Sequence, residues 1–264
     1  MKKALITGAS GGIGLEVAKR LAGYNYAITL VARNEQKLNH LLKELGSGSH
    51  QAILADLCNH DELRRLMEHI GSNDYDLLIN NAGNGHYGEF LEIDLEDQLD
   101  TMRLNMEATV ALSFSFLERA TRGSALVNMG SLLGHSSLPG GAVYAATKSF
   151  VANFSESLWY EYKDRGIFIM GFNPGAADSE FHLNAGRSIN DFPKFVVSSV
   201  SEVADELVAA LKKRHKPRVV QGLKNRLMLF GFRFLSRAAA IKIMACISPG
   251  MPKVQNHVPF STPL

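Results

Sequence analysis

Apolar residues come in short bursts along the chain, near 3–7, 26–32, 50–56, 74–80, 124–130, 166–172 and 217–221, with amphipathic stretches between them. Bursts of that length fit strands buried on both faces, and the intervening stretches repeat at the helical period. Regular alternation of the two predicts parallel βαβ units and an α/β fold with a doubly wound parallel sheet in three layers, α/β/α. Ligands of such sheets sit at the carboxyl ends of the strands. No internal repeat or low-complexity linker interrupts residues 1–222, which read as one unit.

Beyond the last burst the pattern changes. Residues 223–264 read as a basic, apolar C-terminal extension, packed on the same domain or at an interface, with a helix expected over Leu223–Ile247. On a 3.6-residue wheel, Leu223, Leu227, Phe230, Phe234 and Ile241 gather on one side, and Met228, Leu229, Phe232 and Ile243 lie roughly opposite. Arg226, Arg233 and Arg237 line one seam between these faces, with Lys224 and Lys242 along the other. Two apolar faces call for two burial partners. One is the body of the domain, and the other is a second subunit, an acidic partner or an anionic membrane surface.

Composition narrows the class. A chain of 264 residues, 46% apolar and 20% charged, can bury a large core within one α/β domain. Cys58 and Cys246 are too few and too far apart for a disulfide framework, which suits a reducing compartment. The nine histidines form no HExxH-like group, and no metal site is expected. Met1, Lys2 and Lys3 lead directly into Ala4–Ile6, too short an apolar run for a signal-peptide core, so the expected location is cytoplasmic, with peripheral membrane contact as a further option. No apolar run is long enough to span a bilayer. The net charge of +2 hides an asymmetry: residues 1–206 carry 17 Lys/Arg against 26 Asp/Glu, a net of −9, while eleven Lys/Arg and no acidic residue follow Glu206. Such an imbalance points to an anionic partner for the C-terminal part, although no nucleic-acid-binding motif accompanies it.

The first strand runs into Thr7-Gly8-Ala9-Ser10-Gly11-Gly12-Ile13-Gly14, and Leu15–Leu21 then reads as helix. Glycines here permit a tight turn and let backbone N–H groups approach a pyrophosphate, which the helix amino terminus also attracts. A dinucleotide site is expected, with Gly8, Gly12 and Gly14 spaced more widely than in G-x-G-x-x-G. The second strand ends at Ala32-Arg33-Asn34, with no acidic residue where an NAD-binding site would hold one against the ribose 2′-hydroxyl. Arg33 offers a guanidinium able to grip a 2′-phosphate, so NADP is favoured over NAD; a solvated loop charge is the alternative. Asp56 follows the third strand, where it could cap a helix. Asn80-Asn81-Ala82-Gly83 closes the fourth strand with small residues, and Asn84–Gly88 is a candidate substrate-facing loop in which His86 is given no acid/base role.

Tyr144 and Lys148 stand four residues apart, a spacing that on a helix brings Cβ atoms to roughly 5–6 Å. A phenol with a pKa of about 10 is a sluggish acid or base near neutrality. A lysine ammonium one turn away favours the phenolate and is expected to draw that pKa down. Ser131 closes the apolar run Ser124–Met129, where a hydroxyl at a strand end can hold a substrate oxygen.

Together these residues resemble the short-chain dehydrogenase/reductase family, in order and spacing, over about residues 3–221. The resemblance implies a Rossmann-type fold and a catalytic set of Asn105, Ser131, Tyr144 and Lys148, with Asn105 holding a water against the lysine. Cofactor contacts are implied for Thr7, Gly8, Ser10, Gly12, Ile13, Gly14, Arg33, Asp56, Leu57, Asn81, Ala82, Gly83, Pro174, Gly175 and Ser179, and for Tyr144 and Lys148 on the nicotinamide ribose. Asp56 and Leu57 would lie at the adenine, and Ser179 at the carboxamide where relatives commonly have threonine. Two departures stand out: Gly11 lacks the basic side chain some NADP-preferring relatives carry, and Gly130 replaces a second serine. The segment Ala176–Ser199, with Phe181, Phe192 and Phe195, is expected to be a long irregular lid, its phenylalanines suggesting a partly apolar substrate. The implied activity is an NADP-dependent carbonyl/alcohol oxidoreductase, with a small-molecule substrate and a homo-oligomeric assembly among its expected partners. The alternative from another class is a cofactor-binding sensor or scaffold acting through its basic tail.

Overall fold

The computed structural model describes residues 1–46 and 48–251; residues 252–264 of the expected extension and the side chain of Phe195 lie outside the described residues. Seven strands, β1 (Lys2–Thr7), β2 (Tyr26–Ala32), β3 (Gln51–Leu54), β4 (Leu77–Asn80), β5 (Ala125–Met129), β6 (Phe168–Asn173) and β9 (Arg218–Val220), form one parallel sheet in the order β3-β2-β1-β4-β5-β6-β9. A pair of two-residue strands, β7 (Ala176–Ala177) and β8 (Val197–Ser198), stands apart from it. The helices are α1 (Gly12–Gly23), α2 (Glu35–Glu44), α3 (His60–Gly71), α4 (Leu95–Met102), α5 (Ala108–Arg119), α6 (Ala142–Tyr162), α7 (Glu180–Asn184), α8 (Val200–Lys213), α9 (Leu223–Phe232) and α10 (Arg237–Ile247).

Strand periodicity builds the three layers. Along β1, Ala4 and Ile6 join the core beneath α1, α2 and α8, while Leu5 points to the other face, into the core of α3 and α5. Both faces are covered, so the strands read as unbroken apolar runs rather than as alternation. The strand order reverses between β1 and β4, and the crevice at that switch point is where a doubly wound sheet takes its ligand.

Three elements differ from expectation. The amphipathic stretch between β4 and β5 is not one regular helix, since a π-turn at Arg103–Glu107 joins α4 to α5, a feature that sequence periodicity does not mark. The segment 176–199 is not structureless: β7 pairs with β8, Asp178 N donates to Ser198 O at 3.1 Å, and α7 fills the interval. The expected single helix over 223–247 is two. Ser236 accepts from Ala239 N at 3.2 Å and caps a fresh helix, so the wheel loses its phase at the break. Leu223, Leu227, Phe230 and Phe234 do share an exposed face, but Ile243, assigned to the opposite side, is exposed as well, and Ile241 is half-buried.

Candidate active site

At the carboxyl ends of β1, β4 and β5 lies a cavity of about 630 Å³. Its base is a clamp between two turns. Thr7 Oγ1 accepts from the backbone N–H groups of Asn81 and Ala82, each at 3.0 Å, and Asn81 Nδ2 donates to the carbonyls of Thr7 and Gly8, again at 3.0 Å. Gly8, at φ +63°, passes so close to the second turn that a Cβ there would stand 2.8 Å from Ala82 Cα. Thr7 and Gly14 therefore serve the turn itself, while Gly8, Ser10, Gly12, Ile13, Asn81, Ala82 and Gly83 line the cavity.

The amino terminus of α1 opens onto this cavity, and no side chain among the described residues caps its orphan donors. Asn34, Asn59 and Asp94 cap α2, α3 and α4 through their side chains, and acidic residues occupy those first turns. Gly11 caps α1 with no side chain, no acidic residue occupies the first turn, and a Cβ at Gly11 would meet nothing within 4 Å. Free N–H groups and an open approach fit a pyrophosphate. Arg33 lies farther along the same cleft, largely exposed, its Nη1 3.9 Å from Asp56 Oδ2. Asp56 does not cap α3, since Asn59 accepts from Asp61 N and Glu62 N; its Oδ1 instead accepts from Cys58 N at 3.0 Å, leaving the other oxygen toward the cleft beside Leu57. The residues present thus fit a dinucleotide at its pyrophosphate, adenine and ribose ends.

The polar floor comes from β5 and α6. Tyr144 in the first turn of α6 is buried and lines the cavity together with Ser131, whose hydroxyl accepts from Leu133 N at 3.1 Å. Lys148 Nζ donates to Met129 O at 2.9 Å and stands 5.8 Å from the centre of the Tyr144 ring. The expectation that the lysine lowers the tyrosine pKa is not met. Burial pushes the phenol up to about 12, against a smaller opposing effect of the Ser131 hydroxyl, and burial brings Lys148 down to about 8. Desolvation outweighs a charge that is aimed at a carbonyl rather than at the phenolic oxygen.

Asn105 lies in the π-turn, fully buried. Its Nδ2 donates to Asn84 O at 2.9 Å and Thr147 Oγ1 at 3.0 Å, and its Oδ1 accepts from Asn84 N at 3.1 Å. Asn105 and Lys148 approach each other across Gly83, where a Cβ would meet Asn105 Oδ1 at 3.0 Å and Lys148 Nζ at 3.3 Å. Pro174, Gly175 and Ser179 close the far wall, with Leu132 N donating to Pro174 O at 2.7 Å and Ser179 Cβ 3.4 Å from where Gly12 would carry one. Gly130, a departure noted above, has a local reason: a Cβ there would stand 2.2 Å from Asn173 Oδ1.

The expected substrate-facing loop and lid do reach the cavity through Tyr87, Phe181 and Phe192, and His182, Lys37 and a wall from α9 and α10 join them. Tyr87, from the loop after β4, sets its ring edge-on to Tyr144 at 6.1 Å and to Phe192 at 5.7 Å, and His182 stacks at 6.4 Å. Phe181 packs 5.7 Å from Tyr144. Burial holds the Tyr87 phenol well above its usual range and the His182 imidazole below its own. Lys37, one turn into α2, reaches across the cleft mouth to Glu180 of α7 at 2.8 Å. Met228, Met244 and Ile247 complete the wall from α9 and α10. Phe181 and Phe192 belong to the expected lid and Tyr87 to the expected substrate-facing loop; of the others, only Lys37 could have been signalled, by its i, i+4 step from Arg33.

The fold and the cleft define a protein built to hold a dinucleotide. The family model for short chain dehydrogenase matches residues 2–189, and the chain belongs to that family of oxidoreductases, which take a nicotinamide cofactor. An uncharacterised oxidoreductase of Staphylococcus epidermidis is 30% identical over 218 residues, covering 80% of this chain and 90% of that protein. An NADP-dependent 3-hydroxy acid dehydrogenase of Schizosaccharomyces pombe is 29% identical over 228 residues, covering 81% and 88% respectively. Among solved structures, a short-chain dehydrogenase from Sphingobium yanoikuyae in complex with NADPH matches with a TM-score of 0.80 at 29% identity, over 88% of this chain and 94% of that one.

Proposed function

We propose that this protein is an NADP-dependent oxidoreductase that interconverts a carbonyl and an alcohol on a partly apolar small molecule. The observation that carries the reading is the convergence of Ser131, Tyr144 and Lys148 on the floor of a cavity that also receives the α1 amino terminus and Arg33. When bound, the reduced cofactor supplies the hydride. Tyr144, held protonated by burial, is in the state needed to donate a proton to the carbonyl oxygen during reduction. Ser131 orients that oxygen by hydrogen bonding. Lys148, 5.8 Å from the centre of the Tyr144 ring, would turn its charge toward the phenolate formed on proton transfer, and Asn105 anchors the loop at Asn84. Arg33 is the group for a 2′-phosphate, and Lys37 would add a second cation if it exchanged Glu180 for that phosphate. The NADP and NADPH named for the two relatives support the same preference.

The remaining wall favours an apolar substrate body, since Tyr87, Leu138, Phe181, Phe192, Met228 and Met244 supply most of it around Tyr144. Free cysteines suit a reducing, cytoplasmic setting in which such a cofactor is kept reduced. A sensor or scaffold would need the cleft but not the buried Tyr144–Lys148 pair, which costs desolvation and does nothing for binding a partner. The test is NADPH oxidation followed with carbonyl compounds of increasing chain length. Turnover that improves with apolar length supports the reading, and a blank result across a broad panel transfers it to the sensor.

A further inference from the structure

The two sides of α9 are unlike. Met228 and half-buried Phe232 face the substrate cavity and its neighbouring core, and the buried Asn225 donates to Gln221 O at 2.8 Å against the loop at Gly175. Those contacts fix how the helix is turned. On its other side Leu223, Leu227, Phe230 and, just past its end, Phe234 are 66%, 60%, 57% and 75% exposed. Phe230 and Phe234 pack edge to face at 5.3 Å, so they form one continuous apolar ridge rather than isolated surface residues.

The charges around the ridge say what it meets. Lys224 and Arg226 flank it on α9, and Arg233, Arg237 and Lys242 extend the border, with no acidic residue anywhere between 223 and 247. Arg226 is paired with Glu206 and Arg237 donates to Ser137, while Lys224, Arg233 and Lys242 make no ion pair among the described residues. A second copy related by a twofold axis would bring this basic border against itself. A surface of anionic headgroups over an acyl interior complements both parts, since long basic side chains reach outward while leucine and phenylalanine sit deeper. The helix of ten residues is about 15 Å long, and no described helix is long and apolar enough to cross a bilayer.

We propose that the Leu223–Phe234 ridge seats this protein on an anionic membrane surface. Because Met228 lines the substrate cavity from the same helix, the docked orientation would put the cavity wall next to the lipid. The membrane contact itself depends on neither cofactor nor reaction, so it stands or falls separately from the proposed activity.

The test is co-sedimentation of the full-length protein, without cofactor or substrate, with phosphatidylcholine vesicles and with vesicles containing about one quarter phosphatidylserine. The expected result is pelleting with the anionic vesicles at low salt, weakened at high salt, and weakened about tenfold or more by Leu227→Glu with Phe230→Glu. Both positions are exposed and lie outside the cavity lining, and an unchanged far-ultraviolet circular dichroism spectrum checks that the variant is folded. Absence of pelleting with anionic vesicles overturns the proposal, as does equal pelleting of wild type and variant. Sedimentation equilibrium covers the other occupant: a dimer that the double variant abolishes, without lipid binding, would make the ridge an interface between copies.

Discussion

Gly85 runs against the face of Tyr144 so closely that a Cβ on Gly85 would stand 2.5 Å from Cδ2 of the ring. The Gly85 backbone, together with Phe181 and Tyr87 packed 5.7 and 6.1 Å from the ring, leaves it little freedom. Gly85→Ala is therefore expected to displace either the ring or the Asn84–Gly88 loop. A misplacement on the order of 1 Å lowers turnover by up to about 100-fold, so the expected loss is between about 10-fold and 100-fold. Cofactor affinity, measured by fluorescence titration, should change little because Gly85 is not part of the cofactor cleft. Unaltered turnover would show that the contact relaxes freely.

Tyr144→Phe keeps the ring, its packing against Tyr87 and Phe181, and the burial, and removes only the hydroxyl. Turnover should fall by about 10²-fold or more, the usual worth of a positioned acid or base, with cofactor binding retained. Steady-state rates of the variant near those of wild type would remove Tyr144 from the acid/base role.

Why some of this was legible in sequence and some was not follows from how far apart the partners lie. The five central strands could be read because each is largely buried on both faces and so shows as one apolar run, while the edge strands β3 and β9 are only partly buried. Tyr144 and Lys148 could be read because helical spacing alone brings them together. The ring cluster over Tyr144 draws Tyr87, His182 and Phe192 from distant segments, and no local period joins them. Lys37 and Glu180 meet across 143 positions for the same reason. The error over the Tyr144 pKa has a different origin: neighbouring residues in the sequence indicate charge, whereas burial comes from the whole fold, and here burial dominates.

Arg33→Ala removes the guanidinium from the ribose end of the cleft. Charge-assisted hydrogen bonds of about 1.5–3 kcal/mol convert to roughly a 10- to 100-fold weaker NADP affinity, with NAD hardly affected. Equilibrium titration with both cofactors makes the comparison, and an equal loss for the two would mean that Arg33 does not read the phosphate.

The pH dependence should carry two opposite trends from one group. Burial lowers the Lys148 pKa from 10.5 to about 8. As pH rises through about 8 the ammonium is lost, so kcat/KM for carbonyl reduction, which reports the free enzyme, should decline there. Over the same range, up to about 10.5, the unfolded chain still binds a proton that the folded chain has released. The Lys148 contribution to folding stability therefore rises with pH in that window. Tyr144, raised from 10.0 to about 12, acts oppositely and only above pH 10. Rate profiles and thermal midpoints between about pH 7 and 9.5 check both trends, with Lys148→Met as the control that should abolish the limb near 8.

Asn105 holds a clamp beside the proposed proton path, and one substitution tests both roles. Its side chain satisfies Asn84 N, Asn84 O and Thr147 Oγ1 together, and its Oδ1 faces Lys148 Nζ across Gly83. In Asn105→Ala these partners lose their hydrogen bonds within the protein, each at about 1–3 kcal/mol if it stays dry. Water entering the space left by the amide would recover part of that, so the expected net destabilisation is about 2 kcal/mol or more, read as a lower urea midpoint. Turnover should fall as well, because the released Asn84 loop carries Gly85 and Tyr87 with it and both touch Tyr144. Loss of turnover at an unchanged midpoint would assign Asn105 to the proton path alone; loss of stability with turnover intact would assign it to the clamp. The geometry, with one amide group bonded to the loop and lying across Gly83 from the lysine, predicts that both fall.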